Sequence, residues 1–291
     1  MRIKALELRA KVVVEGYLSG IHRSPFHGFS VEFTEYRDYS PGDDTRHLDW
    51  KLYARSDRLY IKRYEDETNL RCWFLVDQSA SMAFTSLDYT KATYGATLAA
   101  TLAQFLYSQG DAVGLMAFDQ DITHYLPARN RPGHLRHLML ELEKEPEGLG
   151  TELERPLRKM ADMLNKRGLV VLISDLLTSI DALQKQLGYL RSRGHEVIVF
   201  QILDPAEREL DFKTPSVFKD LETGEDMLVD PQAARAEYQE NLKAHLEQIG
   251  TICHGLGIDH HALGTDRPLE LALQEFVLDR SQRRAMPMRR N

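Results

Sequence analysis

Three separated stretches of this chain carry oxygen ligands at places where strands should end. Asp77-Gln78-Ser79-Ala80-Ser81 follows the apolar run Cys72 to Val76, Gly150-Thr151 stands in a loop ahead of a helical pattern, and Ser174-Asp175 follows the apolar run Leu169 to Ile173. Alternate residues of an extended loop point the same way, so Asp77, Ser79 and Ser81 can converge on one point. Two carboxylates and three hydroxyls, completed by water, suit a hard divalent cation that takes about six oxygens at roughly 2.1 Å. Mg2+ is the expected ion, with Mn2+ or Ca2+ as alternatives. An ion held by only two carboxylates, partly through water, keeps positive charge and one exchangeable position. An Asp or Glu carboxylate from a protein partner can fill that position, acting together with a surrounding contact surface.

The same residues admit other chemistries. Asp77 can cap a following helix, with Ser79 and Ser81 as turn residues, but Thr151 and Asp175 on two further elements weigh against that. A strand-end Asp can be a phosphatase nucleophile, yet that chemistry wants a second carboxylate two residues on, where Ser79 stands. A serine nucleophile would need a base, and the Gly-x-Ser-x-Gly elbow is absent from the sequence. The main competitor is a metal-dependent hydrolase on the same cluster, because an ion with open valence also activates water. His254, His260 and His261 read as surface or core residues, since adjacent histidines on a strand face opposite ways and no Cys or carboxylate set completes a site.

A sheet must bring these stretches together. From Cys72 onward, apolar runs alternate with helical patterns, which is the sign of βαβ units around a largely parallel sheet. Strands are expected at 72–76, 112–118, 122–126, 169–173, 196–203 and 258–263, the third as the antiparallel arm of a hairpin turning at Asp119-Gln120-Asp121. Helices are expected at about 88–107, 133–144, 153–165, 180–192 and 231–256, with a terminal helix from Pro268 and a β insertion at about 208–230. In a doubly wound sheet of order 3-2-1-4-5 the first and fourth strands are neighbours, and their carboxyl ends open onto the ligand crevice. Asp77 and Asp175 should therefore face each other. Ahead of this region, an amphipathic helix is expected from about residue 3 to 18. It is followed by a turn-rich, aromatic β accessory unit to about Leu70, with strand-like alternation in Phe29 to Tyr36 and Arg58 to Tyr64.

Asp77-Gln78-Ser79-Ala80-Ser81, Thr151 and Asp175 resemble, in order and type, the metal-ion-dependent adhesion site of von Willebrand factor type A domains. That resemblance implies a mostly parallel sheet with helices on both faces over residues 71–291, while the helix and accessory unit read from the pattern take residues 1–70. It implies Asp77, Ser79, Ser81, Thr151 and Asp175 as metal ligands. Arg23 to Phe29, Glu32-Phe33, Tyr39 to Asp44 and Asp49-Trp50-Lys51 resemble a bacterial family known as domain of unknown function fifty-eight. The likeness covers roughly residues 15–205. It implies an adaptor or partner of a MoxR-type AAA+ ATPase, or a binder of its client, and no catalytic residue. The polar run from Asp43 to Lys51 reads as a salt-bridged strand pair or as a partner-facing surface.

Composition sets outer bounds. A hydrophobic fraction of 43% over 291 residues supports a sizeable core. The formal charge of −7, with Lys and Arg spread along the chain, argues against nucleic acid. The start, MRIKALELRAK, lacks the apolar core of a signal peptide, and no run reaches the length of a membrane span, so a cytoplasmic location is expected. Two cysteines in apolar settings exclude a Cys-based metal site and fit a reducing compartment.

Overall fold

Alternate residues of the apolar runs point to opposite faces, and both faces are covered. The computed structural model describes residues 6–21, 35–38, 60–63, 70–144, 153–164, 166–219 and 226–285. Strands β3 (Arg71–Asp77), β4 (Ala112–Phe118), β5 (Ile122–Arg129), β6 (Leu169–Ser174), β7 (Glu196–Leu203) and β10 (Asp259–Gly264) form one sheet in the order β10-β7-β6-β3-β4-β5. All neighbours are parallel except β5, which returns antiparallel to β4. Two further two-stranded antiparallel pairs are β1 (Glu35–Asp38) with β2 (Tyr60–Arg63), and β8 (Ser216–Lys219) with β9 (Asp226–Val229).

Cys72, Phe74 and Val76 of β3 join one buried cluster with Val171, Ile173 and Phe200, while Trp73 and Leu75 join the other with Val170, Leu172 and Val199. On the first face lie α1 (Leu6–Ile21), α2 (Lys91–Ser108), α3 (His134–Leu142) and α8 (Leu269–Ala285). On the second lie α4 (Glu154–Met163), α5 (Ile180–Ser192) and α7 (Pro231–Gly255). A five-residue helix, α6 (Pro205–Glu209), follows β7 directly. Helix α1 places Leu6, Ala10, Val13 and Val14 in the first cluster, and its Leu6 N–H donates to a Glu143 carboxylate oxygen at 2.9 Å.

Helix α2 is apolar around most of its circumference, and most of its residues from Lys91 to Leu106 are correspondingly buried. The Thr90 side chain accepts the Thr93 N–H and caps its start. Gly95 lets the helix lie close to the sheet, because a Cβ there would come 3.1 Å from Ile173 Cγ2. The chain divides into two compact units, Gly20–Asn69 and the remainder, and α1 belongs with the larger. Thr151 and the motif residues at 23–29, 32–33, 39–44 and 49–51, with the polar run 43–51, lie outside the described residues. No helix among the described residues is long and apolar enough to cross a membrane.

Candidate functional site

Strands β3 and β6 run in parallel register with Val76 opposite Ile173, so Asp77 and Ser174 come side by side at the carboxyl edge of the sheet. Both are fully buried. Ser174 Oγ–H donates to Asp77 Oδ2, and Ser79 N–H donates to Asp77 Oδ1 at 2.9 Å. One donor on each oxygen fixes the plane of the carboxylate. Gln78 N–H donates to the Phe118 carbonyl at 2.7 Å and ties the loop to β4. After Ser79 the chain enters a 3-10 turn, Ala80–Ala83, which brings Ser79 Oγ within 3.1 Å of Ser81 Oγ. Ser79 is buried, whereas Ser81 is partly open to solvent.

Asp175 leaves β6 fully buried, and its Oδ1 accepts the Leu177 N–H at 3.3 Å. Leu176 between them has φ +57°, a left-handed conformation that costs a leucine on the order of 1 kcal/mol. Complete burial of the leucine, its N–H bond to Ser174 Oγ at 3.1 Å and its carbonyl contact with His245 Nε2 at 3.0 Å hold it there. Gln201 Nε2–H donates to the Asp175 carbonyl at 3.0 Å, and Gln201 is held in turn by His260. His260 thus serves as a buttress, His261 stacks on Phe200 with ring centroids 5.0 Å apart, and His254 is exposed.

Lys91 was not singled out by sequence reasoning. It is the first residue of α2, fully buried, with its Nζ donating to Asp175 Oδ2 at 2.8 Å and to Glu207 Oε1. Burial is the largest influence on this ammonium and opposes its charge. Asp175 and then Glu207 outweigh it, and hold the pKa above the ordinary lysine value. Burial raises the Glu207 carboxyl, with Lys91 pulling the other way. Asp77 is pushed up to about 7, first by burial and then by the charge of Asp175, against the opposing bonds from Ser174 and Ser79.

This donor set fits a hard divalent cation. Adjacent vertices of an octahedron with metal–oxygen distances of roughly 2.1 Å are about 3.0 Å apart, close to the separation of the Ser79 and Ser81 hydroxyls. The buried Asp77 carboxyl, whose ionisation is opposed by burial and by Asp175, gains from a nearby positive charge. No group of three or more His, Cys, Asp or Glu side chains able to hold a metal occurs among the described residues, so such an ion would rely on the hydroxyls. A cavity of about 790 Å³ touches Asp77 and Gln78 but is lined by α1, α2 and the end of α3, without Ser79, Ser81 or Asp175. The four described residues of the expected site are therefore brought together, and Lys91 and Glu207 are added to them.

Among known proteins, "Uncharacterized protein Rv1480" of Mycobacterium tuberculosis is 29% identical over 284 residues, covering 96% of this chain and 88% of that one. An aerotolerance-related membrane protein from Bacteroides fragilis has a similar fold, with a TM-score of 0.51 and 14% identity over 73% of this chain and 99% of that chain. The VWA domain of SpRpn10 follows at a TM-score of 0.40 and 11% identity, over 71% of this chain and 95% of that one. The doubly wound sheet with its antiparallel edge strand is von Willebrand factor type A-like. Residues 35–248 match the family model, and the chain belongs to the family described as "Protein of unknown function DUF58".

Proposed function

We propose that the protein is a non-enzymatic, divalent-cation-dependent interaction module whose ligands are Asp77, Ser79, Ser81, Thr151 and Asp175. The observation that carries this reading is the pair of hydroxyls, Ser79 Oγ and Ser81 Oγ, 3.1 Å apart beside a buried Asp77 whose two oxygens are already oriented by the chain. A bound Mg2+ would supply an electrophilic position for the oxygen of a partner's Asp or Glu. The chain's own residues do the rest. Ser174 and the Ser79 N–H orient Asp77, the left-handed Leu176 and Gln201 hold the backbone at Asp175, and Ser81 is the described ligand that reaches solvent. The partner in this reading is a MoxR-type AAA+ ATPase or its client, met in the cytoplasm.

Asp77→Ala tests it. Calorimetry with MgCl2 should give binding for the wild type and none for the variant. Thermal unfolding without added metal should change little, because removing a buried carboxylate repelled by Asp175 offsets the loss of the Ser174 and Ser79 hydrogen bonds. Equal Mg2+ affinity in the two proteins would sink the assignment. Retention of a purified AAA+ ATPase by immobilised wild type, and not by Asp77→Ala, is the expected partner result.

A further inference from the structure

A lysine at the head of a helix ordinarily runs its stem along the surface and keeps its ammonium in water. Lys91 does not. Its side chain has no exposure, and both of its partners are remote in sequence, Asp175 at 84 residues and Glu207 at 116. Such a buried charge is tolerated only where its partners are well placed. Both are held independently of it. Asp175 leaves the end of β6, and Glu207 is fixed in α6, where its second oxygen accepts the Asp204 N–H at 2.9 Å. The Glu207 carbonyl accepts the Tyr238 hydroxyl from α7.

We infer that the Lys91 ammonium is a tethered counter-cation of this site, anchored by Glu207, and that the two residues set its divalent-cation affinity in opposite senses. The inference deepens the adhesion-site reading and rests on it. Asp77, Asp175 and Glu207 carry three negative charges when ionised, Lys91 carries one positive charge, and a divalent cation cancels the remaining two. The Asp175 oxygen that faces Lys91 is the one not used by the Leu177 N–H, so the ammonium and an approaching ion compete for the same carboxylate. Glu207 draws the ammonium away from Asp175 and offsets its charge. Without Lys91, Asp175 and Glu207 lose their shared counter-charge, and Asp175 turns its full negative charge to the ion. Without the Glu207 charge, the ammonium belongs to Asp175 alone.

MnCl2 titration by calorimetry on the full chain reads the effect. Lys91→Met should bind Mn2+ at least about tenfold more tightly than the wild type, and Glu207→Gln at least about tenfold more weakly. A purely structural ion pair would weaken binding in both variants, and that result overturns the inference, as does an unaltered affinity in either. Lys91→Met leaves the buried Asp175 and the partly buried Glu207 without a counter-charge, so it can fail to fold without metal. Recovery of its native circular dichroism on addition of MnCl2 then supports the inference. If it stays unfolded with MnCl2 present, the inference stands or falls on Glu207→Gln. Wild-type binding without the opposed shifts defeats the counter-cation alone, whereas no binding in any of the three proteins defeats the adhesion-site reading as well.

Discussion

Asp204 does at the end of β7 what Asp77 does at the end of β3, in that a strand-end carboxylate is buried and spent on the loop beside it. It accepts the Ala206 N–H at 2.8 Å as the cap of α6, and the Ser86 N–H at 3.0 Å and hydroxyl from the loop before α2. Removing it strands a helix N-terminus and the Ser86 donors together. Asp204→Ala should cost about 2–3 kcal/mol, the sum of a lost cap and unsatisfied donors, measured by urea unfolding. A loss below about 0.5 kcal/mol would show that water replaces it. Asp204-Pro205-Ala206-Glu207 is a capping-box pattern with proline at the first helical position, so α6 was readable from sequence. The apolar run of β7 ends directly against it and masks its start. Asp77, Ser79, Ser81 and Asp175 were legible for the opposite reason, since each follows a clean apolar run. Lys91 was not legible, because a single lysine at the head of an Ala-rich helix reads as solvated, and its partners are far away in the chain.

Helices and strands were legible where periodicity was unambiguous. The ranges 180–192 and 196–203 match α5 and β7, while α2 begins at Lys91 rather than near 88, because Thr90 and not Asp88 supplies the cap. Helix α3 shows how an element's end shapes a side chain's charge. His134 is its first residue after Gly133, is buried, and pairs its Nε2 with the Val113 carbonyl at 2.8 Å. Burial lowers its pKa below the ordinary histidine value, against the Val113 bond, with Arg131 and Arg129 adding to the depression. A helix N-terminus likewise opposes a positive imidazole. The folded imidazole therefore binds its proton later than the unfolded one as pH falls. Its contribution is intact above the unfolded pKa near 6.5 and is lost as pH drops through that value toward the depressed folded one. His134→Gln can keep a donor to Val113 without the titration. Denaturant unfolding between pH 7.5 and 5 should show a shallower acid decline for the variant, and parallel curves would exclude His134 as a source of it.

At the scale of the molecule, the neighbouring order of the first five sheet strands was legible from where apolar runs and helical patterns alternate, because a parallel sheet covered on both faces leaves that signature and few topologies satisfy it; the place of β10 beside β7 was not. What the pattern could not assign was the affiliation of the first helix. Its apolar positions recur at helical spacing, but spacing does not say which core receives them. The structure places Leu6, Ala10, Val13 and Val14 of α1 in the cluster that also holds Phe74 of β3 and Leu98 of α2, and ties its first turn to Glu143 after α3. Burying a large aliphatic side chain stabilises by roughly 1.5–3 kcal/mol as an upper bound, so Leu6, Val13 and Val14 together represent several kcal/mol of the larger unit's stability. A chain starting at residue 22 should therefore unfold at a clearly lower urea concentration and bind more of a hydrophobic dye before unfolding. The opposite outcome, an unchanged midpoint and no added dye binding, would mean that α1 contributes no net stability to the sheet domain despite the burial of those side chains.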